Sequence, residues 1–185
     1  MAEAYVFLAA GFEEVEALTP VDLLRRAGVE VATISVNGSN IVTGAHGVPV
    51  VADEIFEEAS GLADALMLVC PGGMPGASNL AAHPGLCDLL AKQHAAHRYV
   101  AAICAAPAVT LAPLGILNGL EATCYPGFES GLKEGGATPK GQRVVKADKV
   151  ITANGPSSAI PFALALVEAL KGPQTAADVA AGILL

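Results

Sequence analysis

The chain has 185 residues, of which 53% are apolar and only 15% are charged, and its formal net charge is −8. This length predicts a single domain over residues 1–185 with a substantial buried core. The acidic balance argues against nucleic acid or an anionic membrane as a partner, because no basic patch is available to neutralise phosphates.

Strand and helix signals alternate along the chain. We predict strands over residues 4–9, 30–36, 65–70, 99–103 and 120–125, and a hairpin of strands over 140–145 and 149–153. We predict helices over residues 13–27, 79–82, 84–96, 157–170 and 175–184, and a short helix from Pro107. Such alternation predicts an α/β fold with a mostly parallel sheet and helices on both faces.

Three segments depart from this alternation. Pro20 lies inside the first helical segment, which predicts a kink or a later start near Thr19. Residues 41–43 and 48–52 predict a small antiparallel appendage at the sheet edge, and the acidic residues 53–59 predict a helical turn.

Membrane insertion and secretion are not expected. Residues 99–120 carry no charge and are long enough to span a bilayer, but Pro107, Pro113 and Gly115 interrupt them. The first residues lack a basic region before their apolar run, so we expect no signal peptide. No C-x-x-C pair occurs, and we expect reduced cytoplasmic thiols at the four cysteines, Cys70, Cys87, Cys104 and Cys124.

Cys104 stands where the apolar strand 99–103 ends and the small residues Ala105 and Ala106 precede Pro107. This pattern is typical of a nucleophile elbow, in which one side chain is held out at a sharp strand-to-helix turn. The helix N-terminus would favour the thiolate. The alternative is a buried structural cysteine, which is the commoner state of a free thiol.

Special residues follow several predicted strands, and the carboxyl ends of parallel strands form one edge where ligands bind. They are residues 11–16, 71–73, Cys104, 125–126 and 154–156. Among residues 11–16, Glu16 is the candidate to turn inward, to be protonated by burial and to donate to the Cys104 thiolate. Charge complementation of the helix N-terminus is the alternative for this acidic turn.

The turn Pro71-Gly72-Gly73 leaves backbone amides exposed, and these could form an oxyanion hole together with the amide of Ala105. An ordinary glycine turn is the alternative. No histidine follows Cys104 directly, and His94-x-x-His97 fits a solvated helix face better than a metal pair. We therefore expect neither a metal nor an organic cofactor.

Four motifs in order resemble the ThiJ/PfpI superfamily, in its parkinsonism-associated deglycase and YajL-like branch. They are G-F-E-E-V-E-A-L-T-P, P-G-G-M-P-G-A-S-N-L, A-A-I-C-A-A-P-A and N-G-P-S-S-A-I-P-F-A-L. The resemblance implies a flavodoxin-like three-layer sandwich and a homodimer. It implies a reactive thiol at Cys104, a protonated partner at Glu16, and oxyanion amides at Gly73 and Ala105 beside Gly72.

The chain departs from that pattern at two positions. Tyr125 stands where many members carry a histidine, as in bacterial YajL-like members, and Asn154 stands where they carry an arginine before Gly-Pro. Ala105 argues against the protease-like branch, in which histidine follows the cysteine. The late His-x-Glu pair of class I glutamine amidotransferases is missing.

The resemblance implies a cysteine-dependent glyoxalase or deglycase that acts on 2-oxoaldehydes such as glyoxal and methylglyoxal, or on their early adducts, and forms hydroxy acids. The alternative is an oxidative-stress sensor or chaperone in which Cys104 is oxidised to a sulfinic acid. The two hypotheses share the same thiol and differ in what reacts with it.

Overall fold

A computed structural model describes residues 2–185. Seven strands form the main sheet. Every neighbouring pair is parallel except the hairpin at one edge, which is antiparallel. From one edge to the other they are β10 (Val144–Ala147), β11 (Val150–Ala153), β7 (Tyr99–Ile103), β6 (Met67–Cys70), β1 (Ala4–Leu8), β2 (Val31–Ser35) and β5 (Glu54–Ile55).

Helices cover both faces of this sheet. One face carries α1 (Glu14–Arg26), α5 (Ala159–Lys171) and α6 (Pro173–Gly182). The other carries α2 (Gly76–Ala81), α3 (Pro84–Ala95) and α4 (Glu129–Glu134). The predicted α/β three-layer sandwich is therefore confirmed. Within residues 2–185, no helix is both long and apolar enough to cross a bilayer.

The central strand β1 shows why its sequence is apolar without interruption. Its alternate side chains enter two separate cores, with Tyr5 and Phe7 on the α2/α3 side and Val6 and Leu8 on the α1/α5 side. A strand buried on both faces needs apolar residues at every position. Burial of β1 and its neighbours holds the ends of the strands, and hence the candidate site, in place.

The prediction of a late start for α1 was wrong. The helix runs without interruption from Glu14 to Arg26, and Pro20 lies inside it and is buried. Pro20 removes one helical hydrogen bond, but Leu23 and Leu24 on the same helix are buried against the sheet and outweigh this loss.

The segment predicted as a strand over residues 120–125 does not join the main sheet. Only β8 (Glu121–Ala122) is extended, and it pairs with β9 (Thr138–Pro139) in a separate sheet. The place beside β7 is already taken by β11. The segment instead crosses the sheet end, where the amide of Thr123 donates to the hydroxyl of Thr152 at 3.0 Å.

The prediction of a helical turn over residues 53–59 was partly wrong, because β5 adds to the sheet edge there and only one turn follows it, in which the amide of Ala59 donates to the carbonyl of Ile55 at 2.9 Å. Asp53 holds the segment beside β2, since its carboxylate accepts hydrogen bonds at 2.8 Å from both the amide and the hydroxyl of Thr33. The antiparallel appendage exists as β3 (Ile41–Thr43) and β4 (Pro49–Val51), but it forms a sheet of its own.

Two helical details were not predicted. The helix that starts at Pro107 is irregular, with a π-helical turn over Pro107–Leu111 followed by a 3₁₀ turn over Ala112–Leu114. Helix α4 has no counterpart among the predicted elements, because its six residues contain a single large apolar side chain, Leu132, and therefore no apolar repeat. Both segments cover the sheet face next to the candidate site.

Candidate active site

Cys104 sits at a sharp turn immediately after β7. Its φ angle is 66°, in the left-handed region that a residue with a side chain seldom adopts. The turn is held on both sides, because the Cys104 amide donates to the carbonyl of Ala153 at 2.9 Å and its carbonyl accepts from the amide of Tyr125 at 2.8 Å. The thiol is thereby held at the carboxyl end of the sheet and is half-buried.

Glu16 reaches the same place from the first turn of α1. The start of this helix is tied to the glycine turn, because the amide of Glu13 donates to the carbonyl of Gly72 at 3.0 Å. The side chain of Glu16 is fully buried, and its Oε2 accepts a hydrogen bond from the amide of Gly72 at 3.0 Å. Its Oε1 is buried and has no hydrogen-bond partner among residues 2–185.

Gly72 allows the thiol and the carboxyl to approach each other. A Cβ atom at this position would lie 2.5 Å from the Cβ of Cys104 and 2.6 Å from Oε2 of Glu16, which is closer than atoms can pack. Gly73 has a φ of 87°, and its backbone amide, like that of Ala105, lies near enough to the sulfur of Cys104 to lower the pKa of the thiol. The structure therefore brings together five of the predicted site residues.

The environment raises the pKa of both acids. Burial raises the pKa of Glu16 to about 7, although the contacts with the Cys104 thiol and the Gly72 amide oppose this rise. Burial, and next the charge of Glu16, raise the pKa of Cys104 to about 12, while the Gly73 and Ala105 amides oppose that rise. The rise at Glu16 has the direction that burial of a carboxyl produces, and its protonation in the folded protein stays a prediction.

The thiol departs from the expectation that a helix N-terminus would favour its anion. Two local effects oppose the helix: the sulfur has lost water, and an ionised Glu16 would place a second negative charge beside it. The second effect disappears when Glu16 is protonated. The two groups therefore titrate as a pair, in which the first proton lost leaves one negative charge shared between them.

Tyr125 and Asn154 are placed next to Cys104 by the backbone. The ring of Tyr125 is 45% exposed and packs over Gly155, where a Cβ atom would lie 3.1 Å from the ring. Asn154 follows the residue that pairs with Ile103, so it stands next to Cys104 at the end of the neighbouring strand. Its Oδ1 accepts from the hydroxyl of Ser158 at 2.6 Å.

Sequence reasoning missed the part played by His46. Glu14, which belongs to the acidic turn over residues 11–16, accepts hydrogen bonds at 2.8 Å from both the amide and the ring Nδ1 of His46. Ligand atoms of Glu13, Glu14 and His46 all lie within 4.8 Å of one another. The two carboxylates raise the pKa of His46. Only the folded hairpin brings His46 to α1, so no local signal could have shown this.

An α/β sandwich with a cysteine at a strand-to-helix elbow and a buried carboxyl near its sulfur defines a class of proteins on a flavodoxin-like sheet. The chain belongs to one family of that class: the model of the DJ-1/PfpI family matches residues 2–169. The predicted resemblance is therefore confirmed.

Several relatives match almost the whole chain. The Parkinson disease protein 7 homolog of Danio rerio is 37% identical over 183 residues, which cover 98% of this chain and 96% of that protein. The glutathione-independent glyoxalase DJR-1.2 of Caenorhabditis elegans is 35% identical and covers 88% of this chain and 84% of its own. The structure of oxidized Toxoplasma gondii DJ-1 has a TM-score of 0.92 at 38% identity, with 100% and 98% coverage.

Proposed function

We propose that this protein is a cysteine-dependent enzyme that converts 2-oxoaldehydes such as glyoxal and methylglyoxal to hydroxy acids. The observation that carries the proposal is the buried Glu16 carboxyl beside the thiol of Cys104, separated from it by a glycine at which a Cβ atom would meet both groups. A relative that is named as a glutathione-independent glyoxalase supports the same class of reaction.

The reactive form of the site carries one negative charge and one proton. When the pair loses its first proton, an anion on Glu16 would be fully buried with a single hydrogen bond from Gly72. An anion on the sulfur is half-exposed and receives the amides of Gly73 and Ala105. Because a buried charge needs such partners, the reactive form has a thiolate at Cys104 and a protonated Glu16.

The chemistry then uses only this pair and water. The thiolate adds to the aldehyde carbon, which forms a carbon–sulfur bond, and Glu16 donates its proton to the new alkoxide to give a hemithioacetal. Glu16, now a carboxylate, takes the proton of that carbon, which gives an enediolate, and returns it to the neighbouring carbon. The hydroxyl proton of the hemithioacetal passes to the former ketone oxygen, and a thioester of a 2-hydroxy acid remains. Water cleaves the thioester, releases the acid and restores the thiol.

The amides of Gly73 and Ala105 stabilise the oxyanion that forms in the first and last steps. The same series of steps would act on the hemithioacetals and hemiaminals that 2-oxoaldehydes form with thiols and amines. Their breakdown at Cys104 would be a deglycase activity.

The test is the disappearance of methylglyoxal and the formation of lactate without glutathione, with Cys104→Ala, Glu16→Gln and Cys87→Ala assayed alongside the wild type. We expect Cys104→Ala to be inactive and Glu16→Gln to lose at least about a hundredfold in kcat, in the range of general acid–base catalysis. Cys87→Ala controls for loss of an unrelated thiol. Full turnover by Cys104→Ala refutes the proposal.

A second function, redox sensing, is favoured by a different observation: the half-buried thiol remains open to a small oxidant, and a protonated Glu16 can hydrogen-bond a sulfinate at Cys104. The similar Toxoplasma gondii protein is described in an oxidized form. Graded hydrogen peroxide followed by peptide mass spectrometry tests it. Sulfinate at Cys104 together with negligible aldehyde turnover would favour this function over the enzyme.

We further propose a homodimer that functions in the cytoplasm. Support for the dimer comes from apolar side chains left exposed on two packed helices, Val15 and Leu18 on α1 and Ile160 on α5. Support for the compartment comes from the four free cysteines. Light scattering on the wild type and on Leu18→Lys tests the dimer, and a monomeric wild type refutes it.

A further inference from the structure

A chain of hydrogen bonds runs from Arg143, the residue just before β10, to a residue of the candidate site. Nε of Arg143 donates to the hydroxyl of Ser158 at 3.1 Å, and this hydroxyl donates to Oδ1 of Asn154 at 2.6 Å. Arg143 also donates through Nη2 to the carbonyl of Ser157. Ser158 is fully buried, so its hydroxyl depends on these partners alone.

The donors in this chain determine which way the amide of Asn154 faces. A guanidinium N–H can only donate, so the hydroxyl oxygen of Ser158 accepts from Arg143 and its single hydrogen must go to Asn154. That hydrogen needs an acceptor, which is Oδ1. With the amide reversed, Nδ2 would meet a hydroxyl whose own hydrogen had no acceptor, and a buried donor without a partner is costly.

The result is an amide whose donor end is free. Within residues 2–185, Nδ2 of Asn154 has no hydrogen-bond acceptor, and Asn154 stands beside Cys104 at the ends of parallel strands. The guanidinium of Arg143 has no carboxylate within 4.0 Å among the same residues. Its positive charge therefore remains available to polarise the chain toward Nδ2.

We propose that Arg143 and Ser158 act as positioning residues that present Nδ2 of Asn154 as a hydrogen-bond donor to the oxygen on the carbon next to the one Cys104 attacks. This inference rests on the proposed function for the identity of the attacking atom. In a 2-oxoaldehyde that oxygen is the ketone oxygen, and in the product it belongs to the hydroxyl group. The site thereby selects small molecules with two adjacent oxygen-bearing carbons over simple aldehydes.

Alkylation of Cys104 tests the donor without requiring turnover. Iodoacetate and iodoacetamide both place an oxygen-bearing carbon next to the carbon that the sulfur attacks, and iodoacetate carries a negative charge on it. Rates at Cys104 are read by peptide mass spectrometry. Because hydrogen bonds to charged groups are the stronger ones, we expect the iodoacetate-to-iodoacetamide rate ratio to fall about fivefold in Asn154→Ala.

Ser158→Ala tests whether the hydrogen bonds from Arg143 through Ser158 position the side-chain amide of Asn154. This variant keeps the charge of Arg143 and the amide of Asn154 but releases the amide, so we expect a similar fall in the ratio. Ser35→Ala, which removes another buried serine hydroxyl from a distant strand, is the matched control and should leave the ratio unchanged. A wild-type ratio in Ser158→Ala overturns the proposal.

Steady-state kinetics separates this inference from the proposed function. We expect Asn154→Ala and Ser158→Ala to raise KM for methylglyoxal about tenfold while kcat changes less, since the thiol and carboxyl are untouched. If the wild type does not turn over methylglyoxal, the proposed function fails and the alkylation ratio still decides the role of Asn154. Unchanged KM and an unchanged ratio in both variants refute the inference.

Discussion

The protonated carboxyl of Glu16 makes the stability of this protein depend on pH in a defined direction. Burial raises its pKa from 4.5 to about 7. Below pH 4.5 the group is protonated in the folded and the unfolded chain, so its contribution to stability is fully present. As the pH rises, the unfolded chain releases the proton near 4.5 while the folded chain keeps it until about 7, and stability is lost across this range.

The size of the loss follows from the two values. At about 1.4 kcal/mol for each tenfold change, a rise from 4.5 to about 7 corresponds to about 3 kcal/mol in the free energy of unfolding. Glu16→Gln has the same shape and cannot ionise. Relative to the wild type, we therefore expect this variant to gain about 3 kcal/mol between pH 4 and pH 8.

The measurement is urea unfolding of both proteins at several pH values with a reductant present. Other carboxyls change stability with pH as well, so the quantity to follow is the difference between variant and wild type at each pH. Glu134→Gln, at an exposed position on α4, is the control and should give a constant difference. A constant difference for Glu16→Gln too would show that Glu16 is not held protonated, and the reasoning about the pair would be wrong.

Three further predictions concern the elbow. Alkylation of Cys104 should rise as the pair loses its first proton, and Glu16→Gln, which cannot carry the charge that raises the pKa of Cys104, should change this pH profile; an identical profile in both proteins would contradict the pairing. Gly72→Ala should destabilise the protein by about 1–3 kcal/mol and abolish turnover, whereas Gly141→Ala, which has open space around it, should do neither. The free energy of unfolding of Cys104→Gly should exceed that of Cys104→Ala by about 1 kcal/mol, because glycine adopts a φ of 66° without strain. Equal urea midpoints for the two variants would argue against strain at the elbow.

The sequence predicts the sheet well where each strand is buried on both faces. The uninterrupted apolar run of β1 and the run that leads to Cys104 are examples, because no other structure hides every side chain of such a run. The sequence fails where long-range contacts decide. Asp53 is pulled to the edge of β2 by Thr33, and residues 120–125 are kept out of the sheet by β11, and neither contact has a local signal.

The residues of the candidate site also fall into two groups, those with a local sequence signal and those without one. Cys104 is predictable because a strand, small residues and Pro107 follow one another along the chain, and the two glycines of the 71–73 turn are predictable because they end a strand. Among the three carboxylates at residues 13, 14 and 16, Glu16 is predicted as the partner of the thiol because it reaches furthest along the helix, and the resemblance implies the same residue. Arg143 and Ser158 are not predictable from sequence, since their side chains meet only after β10 pairs with β11.

The pair of Glu16 and Cys104 explains why one site supports two hypotheses. Aldehyde addition and peroxide oxidation both begin with the thiolate, and both leave a new oxygen near a carboxyl that holds a proton. They differ in what happens to the negative charge. Addition returns the charge to Glu16 once its proton has moved to the alkoxide, and later steps restore the thiol. A sulfinate keeps the charge on the cysteine, so Glu16 stays protonated and the site stops. Aldehyde turnover therefore needs a carboxyl that ionises near neutral pH, as the partial rise of the Glu16 pKa provides, whereas a sensor alone would be served by a carboxyl that never ionises.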